Sequence, residues 1–207
     1  MRRVPDRRSH WEHVYATKTT DAVSWFEENP ETSLGMMEGA GLDAATCVID
    51  VGGGASRLVD ALVGRGLSCL TVLDVASEAL ARARQRLGPA ADAVTWLVAD
   101  VTGEWTAKPV DIWHDRATFH FLTDARDRQR YLKHLYETLK PHGTAVIATF
   151  SPRGPDACSG LPVVRYSPEA LAKELGGEFT LADSRLHDHV TPWGAVQPFQ
   201  YSRFTRR

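Results

Sequence analysis

From residue 46 onward the chain alternates two hydrophobic patterns. Continuous apolar runs rich in Val, Ile and Leu occupy residues 47–51, 69–74, 94–100, 110–114 and 143–150. Unbroken runs of this kind mark strands that are covered on both faces of a sheet. Between them, residues 56–65, 77–87 and 126–140 carry apolar side chains at helical spacing. In the last, Tyr131, Leu132, Leu135, Tyr136 and Leu139 recur at i, i+3 and i+4, which makes a buried stripe. Glycine or proline stops each helix: Gly64 and Gly66, Gly88-Pro89, then Pro141 and Gly143. The alternation predicts an α/β fold with a mostly parallel sheet and helices on both faces.

Residues 151–166, SPRGPDACSGLPVVRY, are long for a connection inside a compact domain, which points to a mobile or functional loop. Ser167-Pro168-Glu169 then supplies an N-cap, a proline at the first helical position and an acidic first turn, for a helix ending at Gly176-Gly177. Two further β-like runs, 180–189 and 199–205, complete a seven-stranded sheet as an antiparallel edge hairpin. A length of 207 residues with 43% hydrophobic content suits one core. Residues 1–45 are expected to form an N-terminal arm or lid packing on it, and residues 46–207 a single domain.

Charge adds an exclusion. Twenty-four basic and 26 acidic residues give a net charge of -2, so no overall field draws in nucleic acid or an anionic membrane. Residues 1–8 are basic without an apolar stretch behind them, and no run approaches the roughly 20 residues of a membrane helix. A soluble cytoplasmic protein is expected. Cys47, Cys69 and Cys158 are odd in number and widely spaced, which predicts reduced thiols rather than a disulfide framework or a metal pair.

The chemistry starts at VIDVGGGASRL, residues 48–58. Three glycines follow a strand and precede a helix, at the sheet edge where such folds bind ligands. Twenty residues beyond Gly54 stands Asp74, placed to accept hydrogen bonds from both ribose hydroxyls. A nucleoside ligand follows. The dinucleotide fingerprint needs a third glycine where this chain has Arg57, which argues against NAD-type packing.

Asp50-Val51-Gly52-Gly53-Gly54 resembles the D-x-G-x-G loop of class I S-adenosylmethionine-dependent methyltransferases, which have a Rossmann-like fold. The resemblance implies S-adenosylmethionine as cofactor, its methionine part along the glycines, its ribose on Asp74 and its adenine at the acid after the third strand, Asp100. The implied cofactor-binding set is Asp50, Gly52, Gly53, Gly54, Asp74, Val75, Asp100, Val101 and His114. Trp11, Tyr15 and Trp25 resemble the aromatic lid that precedes the core in thiopurine-type enzymes and in small lysine methyltransferases. Aromatic faces suit a sulfonium cation, and an amphipathic helix pressing Trp11, Val14 and Tyr15 onto the core fits the same residues.

On the acceptor side the fourth strand runs into WHDRATFHFL, residues 113–122. It lacks the [DN]-P-P-[YFW] segment with which amino-group nucleic-acid methyltransferases hold a flipped base. Asp115-Arg116-Ala117 resembles instead the D-R-[GA]-A segment of thiopurine S-methyltransferases and tellurite-resistance methyltransferases. Ser159-Gly160-Leu161-Pro162-Val163 is loosely similar to their G-P-P-F segment, departing at Leu161 and Val163. This subgroup implies a small-molecule acceptor with a thiol or other chalcogen nucleophile. His114, Asp115, Arg116 and His120 are the catalytic candidates; Asp115-Arg116 also reads as an internal ion pair, and His120 as a half-buried structural imidazole.

Trp193 and Phe199 are candidates to wall the acceptor pocket, with Arg165 available for an anion. His187-x-His189 could present two imidazoles on one strand face, but with no third ligand nearby in sequence no metal is predicted. The nearest rival function is a protein lysine methyltransferase, since the aromatic arm also resembles enzymes that modify citrate synthase and elongation factors. Those usually show Gly-Thr where this chain has Ala117-Thr118. A non-catalytic nucleoside-binding module and an NAD-dependent oxidoreductase complete the alternatives.

Overall fold

The computed structural model describes residues 6–207; residues 1–5, part of the N-terminus read above as lacking a signal sequence, lie outside the described residues. Two helices come first, α1 (Arg7–Thr17) and α2 (Glu31–Glu38). An alternating series follows: β1 (Val48–Val51), α3 (Leu58–Gly64), β2 (Leu70–Asp74), α4 (Ser77–Leu87), β3 (Val94–Val98), β4 (Val110–Arg116), α5 (Ala125–Thr138) and β5 (Leu139–Phe150). The chain ends with β6 (Ala157–Cys158), β7 (Leu161–Pro162), α6 (Pro168–Leu175), β8 (Phe179–Val190) and β9 (Val196–Arg206).

Seven strands form one sheet in the order β3-β2-β1-β4-β5-β9-β8. The first five are parallel, and β9 runs antiparallel to both β5 and β8. The strand order reverses between β1 and β4, which opens a crevice beyond their carboxyl ends. Their register sets Asp50 beside His114 and Val51 beside Asp115. Side chains alternate across a strand, so His114 and Asp115 point to opposite faces.

One apolar cluster, including Met36, Leu58, Leu62, Val72 and Phe150, fills the α2–α3 side of the sheet. Another, including Trp113, Tyr131, Leu135 and Leu171, fills the side under α5 and α6. Local chemistry fixes the helix starts. The Asp124 side chain accepts the Arg126 N–H at the head of α5, and Ser167 accepts the Ala170 N–H at the head of α6. The Ser56 hydroxyl accepts the Leu58 N–H at 3.1 Å, which delays α3 by two residues from the position its apolar spacing suggests. Strand β5 starts at Leu139, where the helical pattern was expected to run on to residue 140. Leu139 pairs with Val110, and the register shifts before Ile112 meets Thr144. This irregularity absorbs Pro141, which has no N–H to give, and His142 at φ 63°.

Residues 151–166 fold around the short β6–β7 hairpin, whose turn residues Ser159 and Gly160 both have positive φ (50° and 76°), as a two-residue turn of matching twist requires. Cys47 and Cys69 correct the expectation of free thiols. They precede the paired strands β1 and β2, their Cα atoms are 4.6 Å apart, and they form a disulfide. Register brought them together across 22 residues of sequence, a relationship that spacing alone does not display. Cys158 is free and buried. Among the described residues no helix is long and apolar enough to cross a membrane.

Candidate active site

The glycine turn is crowded by the protein's own side chains. Gly52 and Gly54 have positive φ, 68° and 49°, which glycine alone adopts without strain. A Cβ on Gly52 would lie 1.8 Å from Thr118 Oγ1, and one on Gly53 would lie 2.5 Å from Asp50 Oδ2 and 2.7 Å from Val72. On Gly54 it would meet Tyr15 Oη at 2.6 Å and Asp74 Oδ2 at 3.1 Å. Thr118 also donates to the Val51 carbonyl at 3.2 Å, so the turns after β1 and β4 are locked against each other.

A cleft opens beside this turn. Trp11, Tyr15 and Trp25 of the arm line it, with Gly52, Asp74, Val75, Asp100, Val101 and Arg116 of the core. Trp11 meets Trp25 and Phe121 edge-on, with ring centroids 5.6 and 5.1 Å apart; both geometries are favourable for aromatic pairs. The arm is held by polar contacts as well. Glu12 accepts the Ser77 N–H and hydroxyl, both at 2.7 Å, and the Glu78 N–H at 3.3 Å, capping α4 from outside. Arg7 Nη1 donates to both oxygens of Asp100 at 3.0 Å, and Nη2 pairs with Asp127 at 2.7 Å.

The two acids along the cleft differ in state. Burial pushes the Asp74 carboxyl up to about 7, against hydrogen bonds from the Ala76 and Gly54 N–H groups. The same burial and the nearby Asp74 push the Tyr15 phenol up. At Asp100 burial is outweighed by the Thr102 N–H and hydroxyl and by Arg7, which hold the carboxyl below the ordinary carboxylate range.

Strand β4 divides the catalytic candidates between its two faces. His114 lies buried on the α2 side, with Nδ1 2.7 Å from Asp50 Oδ1 and Nε2 3.0 Å from Ser33 Oγ. Asp50, Gly53 and His114 line a second hollow, which shares Tyr15, Trp25, Gly52 and Arg116 with the first. Asp115 faces the opposite core. It accepts the Thr118 and Phe119 N–H groups, at 2.8 and 3.1 Å, and the Tyr131 hydroxyl at 2.8 Å. Tyr131 accepts in turn from Trp113 Nε1 at 2.8 Å. Burial raises Asp115 to about 6.

Arg116 does not pair with Asp115, as the internal ion-pair reading had it. Its Nη2 lies 2.9 Å from Glu27 Oε1, Nε donates to Tyr201 Oη and Nη1 to the Trp25 carbonyl, both at 2.9 Å, and its guanidinium stacks over Phe199 at 4.9 Å. His120 is fully buried rather than half-buried. Its Nδ1 accepts the Phe150 N–H at 3.4 Å while Nε2 has no partner, and burial with Arg116 nearby pushes it down to about 3.

The structure thus brings together the arm aromatics, Gly52, Asp74, Val75, Asp100, Val101 and Arg116, places Asp50, Gly53 and His114 on the adjoining hollow, and leaves Asp115 and His120 outside both linings. Phe199 lines the cleft, but Trp193 is 61% exposed. Arg165 is engaged by the Pro152 and Gly154 carbonyls. Sequence reasoning missed Arg7, Thr118, Phe121 and Gln197, which reach the cleft only through tertiary packing. Thr118 and Phe121 alone left a signal, both lying in the segment after β4.

Comparison with known proteins agrees with this geometry. Residues 48–143 match the family model described as "Methyltransferase domain". None of the curated proteins compared matches the chain. Among solved structures, the chain is similar to N-methyltransferase NodS from Bradyrhizobium japonicum WM9 in complex with S-adenosyl-L-homocysteine, at 18% identity and TM-score 0.73, over 97% of this chain and 99% of that one. It is also similar to 1,6-didemethyltoxoflavin-N1-methyltransferase from Burkholderia thailandensis, at 20% identity and TM-score 0.70, over 96% and 86% of the two chains. A third similarity, at 21% identity and TM-score 0.75 over 96% and 92%, is to a protein from work on the conversion of a disulfide bond into a thioacetal group during echinomycin biosynthesis. The strand order and the likeness to these structures give the chain a Rossmann-like methyltransferase fold, with the methyltransferase-domain match over residues 48–143.

Proposed function

We propose that the protein transfers a methyl group from S-adenosylmethionine to a small molecule whose acceptor atom arrives already nucleophilic, with a thiol or another chalcogen as the first choice. The chain fits the cofactor. Asp74 presents a buried carboxylate beside the glycine turn, Asp100 stands one strand further along, and Trp11, Tyr15 and Trp25 wall the same cleft. The ribose would be held by Asp74, the adenine near Asp100 and Val101, and the amino-acid end near Gly52. When bound, S-adenosylmethionine supplies an electrophilic methyl on a sulfonium. The protein's part is to align the acceptor and exclude water.

The observation that carries the acceptor class is the wall of the cleft beyond Gly52, built from Trp25, Arg116, Phe150, Cys158, Gln197 and Phe199. None of these side chains is placed to take a proton. Arg116 is a cation engaged on several sides, and burial pushes the Cys158 thiol up. His114 and Asp115 are committed to internal hydrogen bonds, and His120 lies outside the lining. A thiol of low pKa needs little help here, because its thiolate is already populated near neutral pH and is itself the nucleophile. A protonated lysine would need a base that this wall does not offer. The similarity to NodS and to the toxoflavin enzyme favours a second reading, a neutral nitrogen acceptor, which meets the same requirement.

Incubation of the enzyme and labelled S-adenosylmethionine with a cell extract, followed by dialysis, tests this. Label in the small-molecule fraction is expected. Label in a discrete protein band would overturn it in favour of a lysine methyltransferase.

A further inference from the structure

Outside the cleft, Glu27 of the segment between α1 and α2 faces His187 and His189 of β8. Glu27 Oε1 lies 3.8 Å from His187 Nε2 and 3.5 Å from His189 Nδ1, and one donor atom from each of the three residues falls within 4.8 Å of the others. The third ligand that the sequence around His187-x-His189 does not offer is thus supplied from 160 residues away in the chain. We propose that Glu27, His187 and His189 form a binding site for a single divalent cation of the zinc class, with a fourth position open to solvent.

Three observations carry this. The first is spacing. A direct N–H···O bond would close to about 2.7–3.2 Å. Ligands on a tetrahedral zinc, at roughly 2.0–2.1 Å from the metal, stand about 3.4 Å apart, close to both distances seen.

The second is orientation. His189 Nε2 is 2.7 Å from the Ser24 carbonyl, which can only accept, so Nε2 carries the hydrogen. With Nε2 so occupied, Nδ1 is the ring nitrogen left facing the Glu27 carboxylate, 3.5 Å from Oε1. His187 Nδ1 is 3.3 Å from Thr32 Oγ1, leaving Nε2 towards Glu27. Metal-ligating imidazoles are commonly oriented by such a bond at the other ring nitrogen. Arg116 plays the matching part for the carboxylate, fixing Glu27 while the remaining lone pairs of its two oxygens stay available.

The third is access and charge. The cluster borders a surface groove that also contains Asp21 and Glu28, so a cation has an entry path and two further negative charges to offset Arg116. Two imidazoles and one carboxylate suit zinc and its transition-metal neighbours better than magnesium or calcium, which favour all-oxygen sets.

The test uses the full-length protein, stripped with a chelator and dialysed at neutral pH. Zn²⁺ is titrated in competition with a chromophoric chelator, and Co²⁺ by visible absorption. One equivalent per chain is expected. His187→Ala and His189→Ala should each weaken binding by about 100-fold, and His13→Ala, on the exposed face of α1, should leave it unchanged. Saturating Zn²⁺ should raise the melting temperature of the wild type and not of His187→Ala. His187 is half-exposed on an edge strand, so this variant is expected to stay folded, which circular dichroism verifies. No saturable binding of either ion, or equal binding by folded His187→Ala, would overturn the site.

Discussion

The Tyr15 hydroxyl occupies the space into which a side chain on Gly54 would grow, 2.6 Å from where its Cβ would lie. Arm and glycine turn are therefore fitted to each other. Gly54→Ala should cost roughly 2–3 kcal/mol in urea unfolding, from a left-handed φ of about 1 kcal/mol or more together with the clash. Adding Tyr15→Phe should recover part of that loss and not all, because the backbone cost remains. Strict additivity of the two changes would show that the contact is not made.

With Asp74 in its proposed role, stability and cofactor binding depend on pH in opposite senses. Its folded pKa of about 7 lies above the unfolded value. Its contribution to stability is therefore full below about pH 4 and is lost as pH rises through 7. Asp115, raised to about 6, adds a parallel loss ending slightly lower. Asp74→Asn should flatten about half of the fall in melting temperature between pH 4 and 7. It should also weaken S-adenosylmethionine binding at least 10-fold by calorimetry, while wild-type affinity climbs as pH rises through 7. An unchanged pH slope in the variant would place the buried charge elsewhere.

Asp115 holds the turn after β4 through the Thr118 and Phe119 N–H groups. Asp115→Ala strips acceptors from two N–H groups and the Tyr131 hydroxyl, at an expected cost of about 3 kcal/mol or more in denaturant unfolding. Asp115→Asn keeps an acceptor oxygen and should retain kcat within a few-fold. A loss of several orders of magnitude in a folded Asp115→Asn enzyme would return this residue to the chemistry.

Ala117, next to Arg116, has φ 68°, a conformation that costs an alanine roughly 1 kcal/mol and a glycine little. Ala117→Gly should therefore stabilise the protein by up to about 1 kcal/mol, less whatever the unfolded chain gains in freedom. Differential scanning calorimetry reads the outcome, and a lowered melting temperature would contradict it.

The sheet was legible because β1, β2, β4 and β5 are largely buried on both faces and so appear as apolar runs, while the partly exposed edge strand β3 still keeps Val94, Trp96, Leu97 and Val98. Asp74 and the glycines were legible for a related reason: they sit at fixed places relative to those runs. His114, Asp115 and Arg116 show where such reading fails. Adjacent in sequence, they read as one constellation, yet the two-residue period of a strand sends Asp115 into the core beneath α5 and His114 towards α2. That period was available from the sequence and would have separated them. Nothing local could have joined Arg7 to Asp100, Glu27 to His189 or Cys47 to Cys69, because each pair is created by the packing of distant segments.

Glu12 gives the arm a further meaning. The first amides of α4 find their acceptor on another helix, directly after the strand end that carries Asp74. Any displacement of α1 would bare those amides and fray the stretch next to Asp74. Under the proposed function, the helix that walls the cleft and the acid given to the sugar are thus coupled through a single glutamate.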